Sequence, residues 1–289
     1  MVTRLFRSLL FVPGNNQRFI DKAKTLNADI VCLDLEDSVP LNEKDKAREL
    51  VKNALSNRNK FISDLYVRVN SFDSNLIHDD IKAILCKGLD GIVIPKVNSI
   101  DEVTSISRIL DEFESSNGIS TNSIEIIPSI ESARGVVNAY SIASASSRVS
   151  AIVFGVFDFL HDMGLEYRED GLSYSYARAK IPVDARAAGV HAIDAIWQRV
   201  DDIDGLIKDA IVAKELGYKG KSIIHPKHIE PVHKVFLPSK EEIEWAKRVI
   251  DALEESIKQG RGAVRVDGKM VDAVHYKRAK AILDAANLI

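Results

Sequence analysis

The chain has 289 residues, is 46% hydrophobic and 28% charged, and carries a formal net charge of −3, a profile that suits a soluble globular enzyme. That charge, with no basic cluster interleaved with aromatics, argues against a nucleic-acid partner. The early apolar run "LLFVP" is too short for a signal core or a span, so no membrane partner is expected and a cytoplasmic location is.

In chain order, short β-branched runs alternate with helix-like stretches. The strands read as "RSLLFVPG", "DIVCLDLED", "LYVRVN", "GIVIPKV", "IEIIPSIE", "SAIVFGVFD", "GVHAID" and "KSIIHP". They are near-continuous apolar runs, as in a parallel sheet covered on its faces. Helical patterns fall at 16–27, 44–55, 99–114, 133–145 and 204–216. Eight β-then-α units predict a (β/α)8 TIM barrel over residues 1–230. A doubly wound open sheet is the alternative, but "VPGNNQR" is not its glycine-rich first loop. Cys32 and Cys86 lie in apolar runs outside any metal-like spacing and read as buried free thiols of a reducing compartment.

Residues 231–289 read as a C-terminal extension of helix, hairpin and helix. Ser239 and Glu242 have capping-box spacing before a helix to about Ser256. Asp267-Gly268 between short alternating strands signals a tight hairpin, and a last helix runs from His275 to about Ala286.

Reactive groups of such barrels gather at the C-terminal ends of the strands. Those ends carry Glu36, Asp37, Arg68, Asn70, Lys96, Glu131, Asp158, Asp194 and His225. Glu131 closes an apolar strand, where a carboxylate is costly unless paired, hydrated or metal-bound. Its plainer reading is a cap for the next helix, and for Asp158 it is a loop carboxylate paired with a base. Together, two carboxylates at one barrel mouth repel unless a cation lies between them, and oxygen-only donors favour Mg²⁺ over zinc. Arg68, flanked by valines in "YVRVN", faces the other way from them. It needs a carboxylate, with Glu36 or Asp37 as structural partners, or an anionic ligand. Lys96 is a possible but unsupported Schiff-base lysine, and His225 reads as a hydrogen-bonded rim histidine.

The motifs "RSLLFVPGNN", "DLEDSVPLNEKDKAR", "VRVN", "IPKV", "PSIESARG", "FGVFDF", "GYKGKSIIHP", "VFLPS" and "DGKMVDAVHYKRA", collinear over nearly the whole chain, resemble the citrate lyase β-subunit-like family. That group includes malyl-CoA, β-methylmalyl-CoA and citramalyl-CoA lyases. The resemblance implies a Mg²⁺-dependent barrel that cleaves or forms a C–C bond in a 3-hydroxyacyl thioester. It assigns Glu131 and Asp158 as metal ligands, and Arg68 to the thioester oxygen as an enolate forms. Glu36 and Asp37 then line the pocket and position water, and Asp272 of "GKMVD" reaches a neighbouring subunit's site as acid/base. Arg68, Asn70 and Glu131 are the candidate substrate-binding residues. The implied partners are an acyl-CoA substrate and further copies of the chain in a trimer or hexamer. The alternative is a citrate lyase β-subunit acting with an acyl-carrier protein. One departure is Phe157, where the family often has a small, polar or acidic residue before the metal-binding aspartate.

Overall fold

The structure, a computed structural model, describes residues 5–286. Two compact units emerge, one of residues 6–233 and one built on the residues from Lys234 onward.

The first unit is a closed barrel of eight parallel strands in sequential order. Its chain runs β1 (Ser8–Pro13), α1 (Gln17–Ala23), β2 (Ile30–Asp34), α2 (Lys44–Ser56), β3 (Asp64–Arg68), α3 (Ile77–Ile84) and β4 (Gly91–Ile94). It continues with α4 (Ile100–Asn117), β5 (Glu125–Ile130), α5 (Ala133–Ala143), β6 (Ala151–Phe154), α6 (Val156–Met163) and α7 (Ser175–Ala188). Last come β7 (His191–Asp194), α8 (Ile203–Leu216), β8 (Gly220–Ile223) and the start of α9 (Ile229–Phe236). The TIM-barrel expectation holds. Closure is made by β1 against β8, with Leu9 opposite Ser222, while β2 and β3 place Asp34 opposite Arg68.

Strand alternation explains both the core and the site. Leu9, Ile30, Cys32, Tyr66, Val93, Ile127, Val153 and Ile193 pack as one buried cluster. The same parity carries upward to Phe11, Asp34, Arg68 and Ser129, which line the cavity described below. Tyr66 reaches across the interior to donate to Glu125 Oε2 at 2.5 Å. A side chain at Gly91 would stand 2.1 Å from the Tyr66 ring, so glycine makes room for it.

One expected boundary moves. The run "SAIVFGVFD" is strand only to Phe154, and after Gly155 the chain turns into α6. "VFDFLHDM" buries Val156, Phe159 and Leu160 on one face and ends at Gly164 with φ 65°. Asp158 therefore lies in a helix's first turn, where a carboxylate is favoured, and not at a strand end.

Pro182 sits inside α7 and has no N–H for the Arg178 carbonyl four residues earlier. The fully buried Tyr218 hydroxyl donates to that carbonyl at 2.9 Å. Nearby, Asp194 takes Arg178 Nε at 3.0 Å and Lys221 Nζ at 2.6 Å, and Asp209 of α8 joins both cations. Asp194 thus serves a buried ion network between α7, α8 and β8.

In the second unit, α10 (Lys240–Lys258) packs on α11 (Ala273–Ala286), with β9 (Val264–Val266) and β10 (Lys269–Val271) between them. Ser239 and Glu242 form the expected capping box. Asp267 and Gly268 turn the hairpin with φ of 48° and 80°, which suits Asp-Gly. Val249, Leu253, Val266, Val271 and Ala279 make a small core of its own.

Candidate active site

The mouth of the barrel opens into a cavity of about 440 Å³. Its lining includes Phe11, Asp34, Asp37, Arg68, Glu131, Phe157 and Asp158. Arg68 is the organising group. Its Nε and Nη2 donate to Asp34 Oδ1 and Oδ2 at 2.7 and 2.7 Å, a planar fork on a carboxylate. Nη1 lies 3.3 Å from Glu36 and 3.7 Å from Asp37, and the guanidinium carbon stands 4.6 Å from the Phe11 ring centre. Burial opposes the guanidinium charge, but Asp34, then Glu36 and Glu131, more than restore it and hold the pKa well above its usual range.

Asp34 is the site residue that sequence reasoning missed; Glu36 and Asp37 were the expected partners. The signal was available, since Asp34 between Leu33 and Leu35 obeys the same alternation that turns Arg68 inward. Burial raises its pKa, yet Arg68 and the hydrogen bonds from Ser38 and the Glu36 N–H bring it below the ordinary carboxylate value. It stays an anion.

Glu36 behaves differently. Burial, offset in part by Arg68 and reinforced by Glu131 and Asp37, pushes it up to about 7. Its Oε1 accepts from Lys96 Nζ at 2.7 Å, while the buried Oε2 has no aligned hydrogen-bond donor. Lys96 also lies 3.4 Å from Asp37 and 3.5 Å from Asp158. Burial opposes its charge, but these carboxylates raise its pKa overall, so its surroundings favour the ammonium and not the neutral amine a Schiff base needs. Its φ of 55°, rare outside glycine, holds the ammonium among the three acids.

Glu131 follows β5 and is 5% exposed. The helix-cap reading is overturned, because Ser132 caps α5 by accepting from the Gly135 N–H at 2.9 Å. Burial first and the Asp158 charge next raise the Glu131 pKa, against a hydrogen bond from Ser129. Its Cγ rests against backbone: a Cβ at Gly155 would come within 2.5 Å of it. The Asp158 carboxylate stays 42% exposed beside the cavity.

The remaining candidates lie elsewhere. Asn70, expected to bind substrate, gives Nδ2 to Asp80 at 2.6 Å and Leu35 at 2.9 Å, and its Oδ1 accepts from Lys44 at 2.7 Å. β3 has ended before it, so alternation no longer aims it inward. His225 accepts from the Lys227 N–H at 3.1 Å and lines a neighbouring cavity of about 250 Å³. Asp272 belongs to the second unit, where it is exposed, accepts from the Val274 N–H at 3.0 Å and pairs with His275 at 2.8 Å. Among the described residues, no group of three or more His, Cys, Asp or Glu is arranged to hold a metal ion alone. No helix among them is long and apolar enough to cross a membrane.

Comparison with known proteins identifies the family. The HpcH/HpaI aldolase/citrate lyase model matches residues 7–226. The chain is 38% identical over 284 residues to citrate lyase subunit beta of Leuconostoc mesenteroides, covering 98% of this chain and 94% of that one. It is 34% identical to (3S)-malyl-CoA thioesterase of Cereibacter sphaeroides, covering 98% and 95%. CitE from Mycobacterium tuberculosis, solved in complex with magnesium, acetoacetate and coenzyme A, is 28% identical with a TM-score of 0.80, covering 98% of each chain. A closed eight-stranded barrel with a carboxylate-rich mouth, matched along its length in this way, belongs to the HpcH/HpaI aldolase/citrate lyase family of carbon–carbon lyases.

Proposed function

We propose that this chain is a magnesium-dependent lyase that cleaves, or in reverse forms, a 3-hydroxyacyl-CoA thioester of the malyl-, methylmalyl- or citramalyl-CoA type. The products are a 2-oxo acid and acetyl- or propionyl-CoA. The observation that supports it most is the juxtaposition of a forked, fully charged Arg68 with two carboxylates, Glu131 and Asp158, that repel each other across one cavity.

The donor set fits magnesium. Glu131 and Asp158 offer only oxygen, and a hard cation would offset both the burial and, after it, the Asp158 charge that raise the Glu131 pKa. Two carboxylates fall short of a closed cage, which suits an ion that keeps waters and takes substrate oxygens. Bound there, magnesium supplies Lewis-acid activation of the substrate hydroxyl and its carboxylate.

The chain's own groups do the rest. Asp34 fixes two nitrogens of Arg68 and leaves Nη1 to face the thioester oxygen, where a planar cation stabilises the enolate released by C–C cleavage. Glu36, near neutrality in pKa, and Asp37 position water and hold Lys96 charged. Asp272, supplied by a neighbouring copy in a trimer or hexamer, acts as the acid/base: it takes up the hydroxyl proton as the C–C bond breaks and delivers a proton to the enolate carbon. The identity to citrate lyase subunit beta keeps a second reading alive, the same chemistry on an acyl-carrier-protein thioester.

The test is release of 2-oxo acid from a panel of hydroxyacyl-CoA esters, with magnesium and with excess chelator. Glu131→Gln and Asp158→Asn should each abolish release in a folded protein. Turnover undiminished by chelator would refute the metal reading.

A further inference from the structure

Most polar side chains on the cavity wall are committed to one another. Asp34 holds Arg68 and accepts from the Ser38 hydroxyl at 2.5 Å. Asp37 lies within reach of Arg68 and Lys96, Asp158 within reach of Lys96, and Ser129 hydrogen-bonds to Glu131. Ser222 is the exception. Its Oγ is buried and has no hydrogen-bond partner among the described residues. Of the side-chain atoms in that condition, it is the one carried by a residue of this wall.

The backbone fixes where that hydroxyl points. Strand β8 pairs with β1 so that Leu9, a member of the buried barrel cluster, lies opposite Ser222. The preceding Lys221 faces the other way, into the ion network with Asp194 and Asp209. Alternation therefore turns Ser222 inward, where it is 2% exposed, deeper than Glu131 and far deeper than Asp158. The interior of such a barrel is ordinarily filled by branched apolar side chains, and the same wall carries Val153, Ile196 and Ile224. An unsatisfied hydroxyl at that depth carries a cost that alanine would not. A few polar groups set in an apolar wall are how a cavity fixes the orientation of what enters it.

We infer that Ser222 is a substrate-binding residue whose hydroxyl donates a hydrogen bond to a carboxylate oxygen on the 2-oxo acid half of the substrate. The inference rests on the lyase reading above and adds a contact which that reading does not contain. The thioester half carries the coenzyme and has to leave through the mouth, so the acid half is the part that reaches the floor. Arg68 Nη1 faces the thioester oxygen, and the hydroxyl of the acid half turns to the cation that Glu131 and Asp158 fit. A carboxylate offers about four lone-pair sites, more than one cation takes. A hydroxyl donated to a charged oxygen is stronger than one donated to a neutral acceptor, and its loss costs about tenfold or more in affinity.

Ser222→Ala and Ser222→Cys in the full chain test this. The first removes the hydroxyl, and the second keeps nearly the same shape with a weak donor. Calorimetry follows binding of glyoxylate, pyruvate and freshly prepared oxaloacetate, each with magnesium. The acid that binds the native chain most tightly should be weakened about tenfold or more in both variants, while titration with magnesium alone is unchanged. Thioester cleavage should lose kcat/KM by a similar factor, carried by KM. In urea, Ser222→Ala should be as stable as the native chain or more so, because the hydroxyl it removes has no partner in the protein. A smaller loss of affinity in Ser222→Ala, native-like binding by Ser222→Cys, or an equal fall in magnesium affinity overturns the inference. So does a loss of stability in Ser222→Ala, which would mark a structural hydroxyl, or a native chain that binds none of the acids. If acid binding weakens as expected while no thioester is cleaved, the Ser222 contact stands and the lyase reading falls. If a thioester is cleaved with KM unchanged in Ser222→Ala, the lyase reading stands and this inference falls.

Discussion

The proline in α7 offers a quantitative test of how the barrel's outer layer is held. Tyr218→Phe removes one hydroxyl and almost no volume, and leaves the Arg178 carbonyl without the donor that replaces the missing Pro182 N–H. Burial raises the Tyr218 pKa far above its usual value, so the group is a protonated donor at any working pH. An orphaned buried carbonyl costs about 1–3 kcal/mol. Pro182→Ala restores a main-chain N–H at the right place, and in that background Tyr218→Phe should cost about 0.5 kcal/mol or less. The double-mutant cycle should therefore give a coupling of about 1–2 kcal/mol. Urea unfolding reads this out. Trp197 lies in the barrel unit and Trp245 in the other, so a Trp245→Phe background lets fluorescence follow the barrel alone. A coupling below about 0.3 kcal/mol would show that the carbonyl does not depend on Tyr218.

Arg68→Lys keeps the charge and loses the fork on Asp34, so kcat should fall about 100-fold or more with KM little changed; a purely raised KM would confine Arg68 to ground-state binding. Gly155→Ala drives a methyl to 2.5 Å from Glu131 Cγ, and turnover and magnesium affinity should drop together while circular dichroism is unchanged. Glu36→Gln tests the carboxyl held at about 7. The folded form binds this proton between about pH 4.5 and 7 and the unfolded form does not, so the native group stabilises below 4.5 and that contribution is lost as pH rises through 7. In chelator, the variant should therefore gain on the native chain by about 3 kcal/mol between pH 4.5 and 8 in urea unfolding, and a pH-independent difference would contradict the shift. Asp272→Ala and Glu131→Gln should each be inactive, yet regain activity when co-assembled. Verified mixed oligomers that stay inactive would place Asp272 outside a neighbour's site.

The barrel was legible because each parallel strand, covered on both faces, is written as an unbroken apolar run, and strand ends then point to the mouth. Arg68, Glu131 and Asp37 could be drawn to one cavity on that logic alone. It failed where the backbone stops alternating. Asn70 lies past the end of β3, and Asp158 lies on a helical turn that the apolar run "SAIVFGVFD" conceals. Asp34 was hidden for a different reason: two more acids follow it within three residues, and only the strand register singles out the one opposite Arg68. Asp272 follows a hairpin on a separate unit, so only resemblance to relatives brought it into consideration.

Positions 155 and 157 sit two residues apart on the same loop-to-helix turn, and they differ in how much change they tolerate. At Gly155 any side chain collides with the Glu131 carboxylate, so that position is frozen by its neighbour. Phe157 is only half-buried, touches an aromatic tier and lines the cavity without joining the Arg68 and Lys96 ion-pair web. A change at 157 therefore alters the cavity wall while leaving the ion pairs of Arg68 and Lys96 in place. Within a single turn, a position locked by the Glu131 side chain is thus followed by one held only by its aromatic neighbours.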